Sequence, residues 1–344
     1  MNGIEFMTEE ELSRELDNFK ASFKSVKRKL YHPSYTKELE SLKQLISVVG
    51  ADKTFVNHPL RGIPRKLRMY EFAASHGVSI PKIFAVWSSP RKIESLANLP
   101  QKFVLKSDGG SSARGVLALK KEEDGMFLSM DGQMRLNEAE VISFFSEAYS
   151  KGQAYGPIFA EEFLEQDNGE IIPDDLKFYM AYGEIMQVLV RRVDKLNGLD
   201  QSVRSAYFGE NGENLGKVNP SVNIDEGLTL PDNFGEVSET ARHLSKAMGL
   251  PFCRVDLYRV NRGIVFGEIT RAPGGTQTYI EEHNQAMGEQ WLQAKARLTM
   301  DQLEGRPTGL IWGQEKTLNL YPVADEYSRV YRNMTSLPCR RWCY

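Results

Sequence analysis

Apolar residues recur along this chain with two periods, and the switches between them mark out its elements. Near the start, Thr8 and Glu11 have the spacing of a capping box, and Leu12, Leu16, Phe19, Phe23 and Leu30 follow at near-helical intervals. Leu39, Leu42, Leu45, Ile46 and Val49 repeat that pattern, and both stripes are expected to face a core. Residues 50–64 read as loop, and a helix is predicted over 65–75, stopped at His76-Gly77. Alternating or short apolar runs predict strands over 83–87, 102–106, 116–120, 158–165, 176–182 and 184–192. Ser88-Ser89-Pro90-Arg91 has the form of a helix start, with Leu99-Pro100 as its stop. Further helices are predicted over 137–149, opened by Asn137 with Glu140, then over 234–248 before Gly249, and over 279–303. Residues 193–232 show little periodicity and read as a long loop of the kind that forms lids. Residues 305–344 show no clear pattern, and there is no internal repeat.

The sharpest local pattern is a hairpin. Residues 254–260 alternate polar and apolar, Asn261-Arg262-Gly263 reads as a three-residue turn, and residues 264–270 return. Centring the turn on Arg262 sets Asp256 opposite Glu268 and Arg254 opposite Thr270. Side chains two apart share a face, so all four project from one surface. Directly opposed residues sit about 4.5–5.5 Å apart at Cβ, and two carboxylates that close repel unless a cation lies between them. Hard oxygen ligands suit Mg²⁺; an exposed face paired with Arg254 is the plainer alternative.

A second pattern is strand, small-residue loop, strand over 102–120. Gly109, Gly110, Ser111 and Ser112 leave backbone N–H groups open to an anion, and Lys106 ends the first strand beside them. The Walker spacing is absent, as is a Gly-x-Gly-x-x-Gly opening a helix. An ordinary flexible loop is the alternative. Downstream, Glu161-Glu162 interrupts an apolar strand, and Lys177 and Arg191-Arg192 punctuate the next two.

Composition narrows the classes without choosing one. The 344 residues are 41% hydrophobic and 26% charged, enough for two or three packed lobes of a globular protein. A net charge of −3 gives no global field for nucleic acid, and no apolar run is long enough for a membrane span. Three cysteines (Cys253, Cys339 and Cys343) argue against a disulfide scaffold and fit a reducing cytosol. The acidic, helical start is not a secretory signal. The five histidines (His32, His58, His76, His243 and His283) are scattered, and no Gly-x-Ser-x-Gly elbow is present.

Taken in order, these segments resemble the ATP-grasp family, most closely its teichuronopeptide-biosynthesis-like (TupA-like) branch. The likeness is carried by 103–115, by Glu161-Glu162-Phe163-Leu164-Glu165, by 174–179, and by Arg254-Val255-Asp256 through Gly267-Glu268-Ile269-Thr270 to Pro273-Gly274-Gly275. Leu67-Arg68-Met69-Tyr70 and residues 80–87 fit as well, so the match covers about residues 60–283.

That resemblance implies an α+β ATP-grasp fold, with ATP between two α+β lobes. The expected organisation is a helical N-terminal region (1–63), a central lobe with the phosphate loop (64–159), a C-terminal lobe with the Mg/ATP site (160–304) and an extension (305–344). Lys106 is implied to hold the α- and β-phosphates beneath Gly109, Gly110, Ser111 and Ser112. Glu162, Phe163 and Leu164 are implied to read adenine through their backbone, with Glu161 near its amino group. Either Glu165 or Asp175 takes the ribose, and Lys177 and Arg191 are further nucleotide contacts. Asp256 and Glu268 become Mg²⁺ ligands, with Mn²⁺ as an alternative, and Thr270 stands where many members carry Asn. Arg254 joins Lys106 as catalytic by steadying the transferred phosphoryl group, while Arg271, Gly274 and Gly275 approach the substrate carboxylate. The implied activity is a cytoplasmic, ATP- and Mg²⁺-dependent carboxylate–amine ligase acting through an acyl-phosphate, in surface-polymer or peptide natural-product synthesis. Its partners are a small carboxylate and an amine, and its oligomeric state stays open. A small-molecule kinase or a non-catalytic nucleotide binder on the same fold are the alternatives.

Overall fold

The two sequence periods fold into two antiparallel sheets clasped by helices. The computed structural model describes residues 8–51, 58–62, 65–110, 115–165, 174–196, 200–325, 328 and 341–343. The first sheet holds β1 (Ile83–Trp87), β2 (Lys102–Gly110), β3 (Val116–Lys121), β4 (Phe127–Ser129), β5 (Arg135–Leu136) and β6 (Ala154–Glu162), in the order β1-β6-β2-β3-β4-β5. The second holds β7 (Asp175–Ala181), β8 (Glu184–Leu196), β9 (Asp200–Phe208), β10 (Cys253–Val260) and β11 (Gly263–Thr270), in the order β11-β10-β7-β8-β9. The helices are α1 (Glu9–Tyr31), α2 (Tyr35–Ala51), α3 (Pro59–Gly62), α4 (Lys66–Ser75), α5 (Glu138–Ser150), α6 (Phe234–Met248) and α7 (Glu281–Leu303). The class is α+β, as expected.

Each sheet has its own core. Alternate residues of β2, Phe103 and Leu105, turn inward with Leu117, Leu119, Ile158 and Ala160, and α5 covers them with Val141 and Phe145. Burying Phe145 alone stabilises by roughly 2–3 kcal/mol. A full capping box starts α5: Asn137 accepts from Glu140 N–H, and Glu140 accepts from Asn137 N–H. The second core joins β7, β8 and β10 to α6, α7 and α2, with Phe252 stacked on Trp291 at 4.2 Å between centroids. Gly249 closes α6 in the left-handed conformation.

Helix α4 wedges between the sheets. The Tyr70 ring meets Phe159 of β6 and Phe266 of β11 edge-on, each at 6.1 Å. Nearby, Phe266 N–H donates to Ser79 O at 2.8 Å, and Ile269 N–H points at Met69 Sδ at 3.1 Å. The chain after α7 runs back along α4. Gly313 N–H donates to Ser75 Oγ, Glu315 N–H to Ser75 O, and Leu320 N–H to Glu71 Oε1.

Several expectations are corrected. Leu12, Leu16 and Phe19 of α1 are exposed, so these three positions of the expected stripe face no core among the described residues. The predicted helix after Ser88 is only a single 3₁₀ turn, Pro90–Lys92. The lid-like loop over 193–232 is largely sheet at its start, because β8 runs to Leu196 and β9 pairs along it. Strand β2 continues through Ser107, Asp108, Gly109 and Gly110, where a loop was expected. Of the cysteines, Cys253 is free and buried and Cys343 is disulfide-bonded, which adds to the expectation without making a disulfide scaffold.

Candidate active site

The hairpin β10–β11 has the expected pairing at its far end: Arg254 opposite Thr270, and Asp256 opposite Glu268. The route to it differs. Val260 pairs Gly263 across a two-residue turn, and a bulge between Asp256 and Leu257 shifts the register by one. The bulge centres on Gly267. A Cβ there would stand 3.0 Å from Asp256 O and 2.7 Å from the Tyr258 ring. Without that extra residue, Glu268 would not face Asp256.

The four side chains meet as predicted. Arg254 grips Asp256 with two 2.6 Å hydrogen bonds, from Nε to Oδ1 and from Nη2 to Oδ2. The same Nη2 lies 3.3 Å from Glu268 Oε1 and 3.2 Å from Thr270 Oγ1. Lys177, placed beside Asp256 by the β7–β10 register, donates to Asp256 Oδ2 at 2.6 Å and lies 2.6 Å from Asp175 Oδ2. Charges therefore alternate along one sheet face: Asp175, Lys177, Asp256, Arg254, Glu268. Asp256 is 1% exposed. Burial opposes its charge, but Lys177 and Arg254 outweigh that and hold its carboxyl below the ordinary range. Asp175 has less help; burial raises its pKa, Lys177 only partly counters, and its Oδ1 is buried with no hydrogen-bond partner.

The first sheet supplies the opposite wall. Lys106 on β2 lies 2.5 Å from Glu161 Oε1 on β6, and Tyr70 donates to Glu161 Oε2 at 2.7 Å. Sequence reading overlooked Lys66. Its Nζ donates to Ser107 O at 3.2 Å and Gly110 O at 3.3 Å, and burial, then Lys106, lower its pKa. Glu268 and Glu161 act on the same ammonium in the opposite sense, which brings the two sheets' charges together at Lys66. The available signal was a nearly wholly buried helix that carries Lys66, Arg68 and Glu71 among small and apolar residues.

The other predicted residues fall around this centre. Gly109 lies in β2, where a Cβ would collide with the Tyr155 ring at 2.1 Å, and Gly110 has φ 127°. Ser111 and Ser112 lie outside the described residues. Glu162 is tied outward: its N–H donates to Lys82 O at 2.9 Å, and its Oε2 accepts from Arg262 at 2.6 Å. Phe163 and Leu164 are half-buried, and Glu165 is exposed and paired with Lys102. Arg191 faces Asp175 across β7 and β8. Arg271 is half-buried, and Gly274 and Gly275 are exposed.

Sequence reading also missed a tyrosine floor beyond Arg254. The hydroxyls of Tyr35, Tyr179 and Tyr279 reach Gln277 Oε1 at 3.5, 3.3 and 3.2 Å, and Gln277 Nε2 donates to Gly274 O at 2.9 Å. Gln187 donates to Tyr279 at 2.7 Å and is itself 2.7 Å from His283, which assigns His283 to this network.

Two opposed carboxylates with a neighbouring hydroxyl are hard oxygen donors, and they fit a divalent cation of the Mg²⁺ kind. Arg254 Nη2 now spans Asp256 and Glu268 as a cation between them would. Among the described residues no group of three or more His, Cys, Asp or Glu gathers as a metal site, so the pair would need ligands from elsewhere.

No curated protein sequence matches the chain. Among solved structures, a D-alanine–D-alanine ligase from Bacillus anthracis aligns at 15% identity over 71% of each chain, with TM-score 0.46. The ATP-grasp ligase PsnB complexed with a minimal precursor aligns at 13% identity and TM-score 0.39, over 67% of this chain and 60% of that one, less than two thirds of its length. A RimK domain ATP-grasp protein from Sphaerobacter thermophilus aligns at 10% identity over 68% of each chain, with TM-score 0.41. These likenesses are too distant to carry an argument about activity. The sequence model of the family described as "TupA-like ATPgrasp" matches residues 52–292, about 70% of the chain, and takes in the charged residues of both sheets. The chain therefore belongs to the TupA-like ATP-grasp family.

Proposed function

We propose that this protein is an ATP- and Mg²⁺-dependent ligase that joins a small carboxylic acid to an amine. One observation carries the reading: Arg254 Nη2 bridges Asp256 and Glu268 on one sheet, and Lys106 and Lys66 stand on the facing wall. Such a cleft offers fixed positive charge to a polyphosphate and paired carboxylates to its metal, and phosphoryl transfer needs little else. Asp256, Glu268 and Thr270 would hold Mg²⁺, which when bound neutralises phosphate charge. Lys106 and Lys66 bind phosphate oxygens, with Gly109, Gly110, Ser111 and Ser112 closing over them. The backbone of 162–164 takes adenine, Glu161 lies near its amino group, Glu165 or Asp175 takes the ribose, and Lys177 and Arg191 lie beside the nucleotide.

In the first step a carboxylate oxygen of the acid attacks the γ-phosphorus, and the bond to ADP breaks. Arg254 steadies the transferred group, while Arg271, Gly274 and Gly275 hold the acid. In the second step the amine nitrogen attacks the acyl carbon, phosphate leaves with the bonding pair, and the nitrogen sheds a proton. The four segments read from the sequence (1–63, 64–159, 160–304 and 305–344) are proposed as its domain organisation. A need for ATP suits cytoplasmic work on precursors of a surface polymer or peptide product, and among the described residues no helix is long and apolar enough to cross a membrane.

An ADP-release screen of carboxylates against an amino-acid panel, with mass spectrometry of products, tests this. An amide with stoichiometric ADP and phosphate is expected. A stable phosphorylated product would replace the ligase with a kinase, and nucleotide binding without turnover would leave a binding protein.

A further inference from the structure

Tyr321 lies past the end of the family match, yet it reaches the root of the phosphate-binding strand. Its hydroxyl lies 3.0 and 3.2 Å from the two oxygens of Asp108, which is wholly buried in β2 two residues after Lys106. Asp108 Oδ1 in turn accepts from Leu67 N–H at 2.9 Å, and Arg65 Nη1 lies 3.6 Å from Oδ2. The same Tyr321 oxygen accepts from Arg68 N–H at 3.2 Å.

These contacts solve a problem of α4. Its capping residue, Arg65, supplies no side-chain acceptor, so the first amides of the helix need acceptors from elsewhere. Asp108 satisfies Leu67 and Tyr321 satisfies Arg68. Lys66 sits between Arg65 and Leu67, with its ammonium on Ser107 O and Gly110 O. The helix start and the strand end thus form one junction, with Tyr321 as its third side.

We infer that Tyr321 is a positioning residue for the nucleotide: its hydroxyl fixes Asp108, and through Asp108 the β2–α4 junction that aims Lys106 and Lys66. The inference rests on the nucleotide cleft proposed above. It makes Tyr321, in the C-terminal extension, part of the framework of the binding site. Burial pushes Asp108 up to about 6, while Arg65, Leu67 N–H, Tyr321 and Lys66 pull it down. Glu71 on α4 and Tyr149 on α5 also face it. Removing the Tyr321 hydroxyl should raise the Asp108 pKa further.

The test measures Mg-ADP affinity of the full chain by calorimetry across pH 5–9. Loss of one buried hydrogen bond predicts that Tyr321→Phe binds ADP about three- to tenfold more weakly. Its low-pH loss of affinity should begin at higher pH than in the wild type, and in an Asp108→Asn background the Tyr321→Phe change should no longer move that limb, which ADP's own phosphate then sets. The double variant should lose less than the sum of the two single losses. A folded Tyr321→Phe protein with wild-type affinity and an unmoved limb overturns the inference. Should Tyr321→Phe not fold, an Asp108→Asn limb unmoved from that of the wild type overturns it instead. Wild-type protein that binds no ADP overturns the nucleotide reading, and the inference with it.

Discussion

Lys177 donates to Asp256 Oδ2 at 2.6 Å, in a place where a metal ligand would need a free oxygen. Arg254 holds both oxygens of the same carboxylate. On the proposed reading, a divalent cation held there would take the place of Lys177 and Arg254 on Asp256 and leave both able to turn toward phosphate. This separates the two carboxylates experimentally. Glu268→Gln removes a half-exposed group and should abolish Mg²⁺-dependent ADP release, by about 10²–10³-fold, with little change in Tm. Asp256→Asn should abolish it too, but it leaves two buried cations short of a counter-charge and should cost about 3 kcal/mol of stability. Chemical denaturation beside the ADP assay checks both. Full activity in either variant removes that residue from the metal site.

Gly267 tests whether the bulge sets the site. An added methyl would press on Asp256 O at 3.0 Å and on the Tyr258 ring at 2.7 Å. Overpacking of that kind costs about 1–3 kcal/mol, and backbone has little room to yield. Gly267→Ala should thus weaken Mn²⁺ binding, read by paramagnetic relaxation, more than a like-sized destabilisation elsewhere does. Unchanged Mn²⁺ affinity would show that Glu268 keeps its place without the bulge.

The contrast with the sequence is instructive at this hairpin. A three-residue turn and an unbulged ladder predict the same far-end pairs as a two-residue turn with one bulge, because the two differences cancel. Local alternation cannot distinguish them. The strand that carries Lys106 was legible because Phe103, Val104 and Leu105 form a short apolar run between Lys102 and Lys106. Lys66, Tyr70 and Tyr321 were not legible. Their partners Gly110, Glu161 and Asp108 lie 44, 91 and 213 residues away, and no periodicity encodes such distances. Strand β9 was missed because its polar first half pairs with β8 at a sheet edge, where alternation is weak.

Glu71 gives a pH prediction. Burial raises its pKa from 4.5 to about 8, against the opposing pull of Leu320 N–H and Arg68. Between those values the folded chain keeps a proton that the unfolded chain releases. Stability therefore falls as pH rises through that window, and the loss is complete above about 8. Glu71→Gln keeps an acceptor for Leu320 and cannot ionise. Its Tm should fall less than that of the wild type between pH 5 and pH 8, with the curves closest at the acid end. Parallel curves would place Glu71 among ordinary ionised carboxylates.

Gln277 tests the acid side of the cleft. Its Oε1 collects the hydroxyls of Tyr35, Tyr179 and Tyr279, while its Nε2 holds Gly274 O. Tyr179 pairs with Arg254 across β7 and β10, so the loop that carries Gly274 and Gly275 is anchored beside Arg254. Gln277→Ala releases that loop and leaves three hydroxyls without their shared acceptor, a loss of about 1–3 kcal/mol. The KM for the acid should rise by about tenfold or more, and the KM for ATP should hold, because none of the groups Gln277 bonds (Tyr35, Tyr179, Tyr279 and Gly274) is a proposed nucleotide contact. Steady-state kinetics with each substrate varied in turn separates the two. Equal rises in both constants would mean that Gln277 supports the whole cleft, and unchanged constants would detach Gly274 and Gly275 from acid binding.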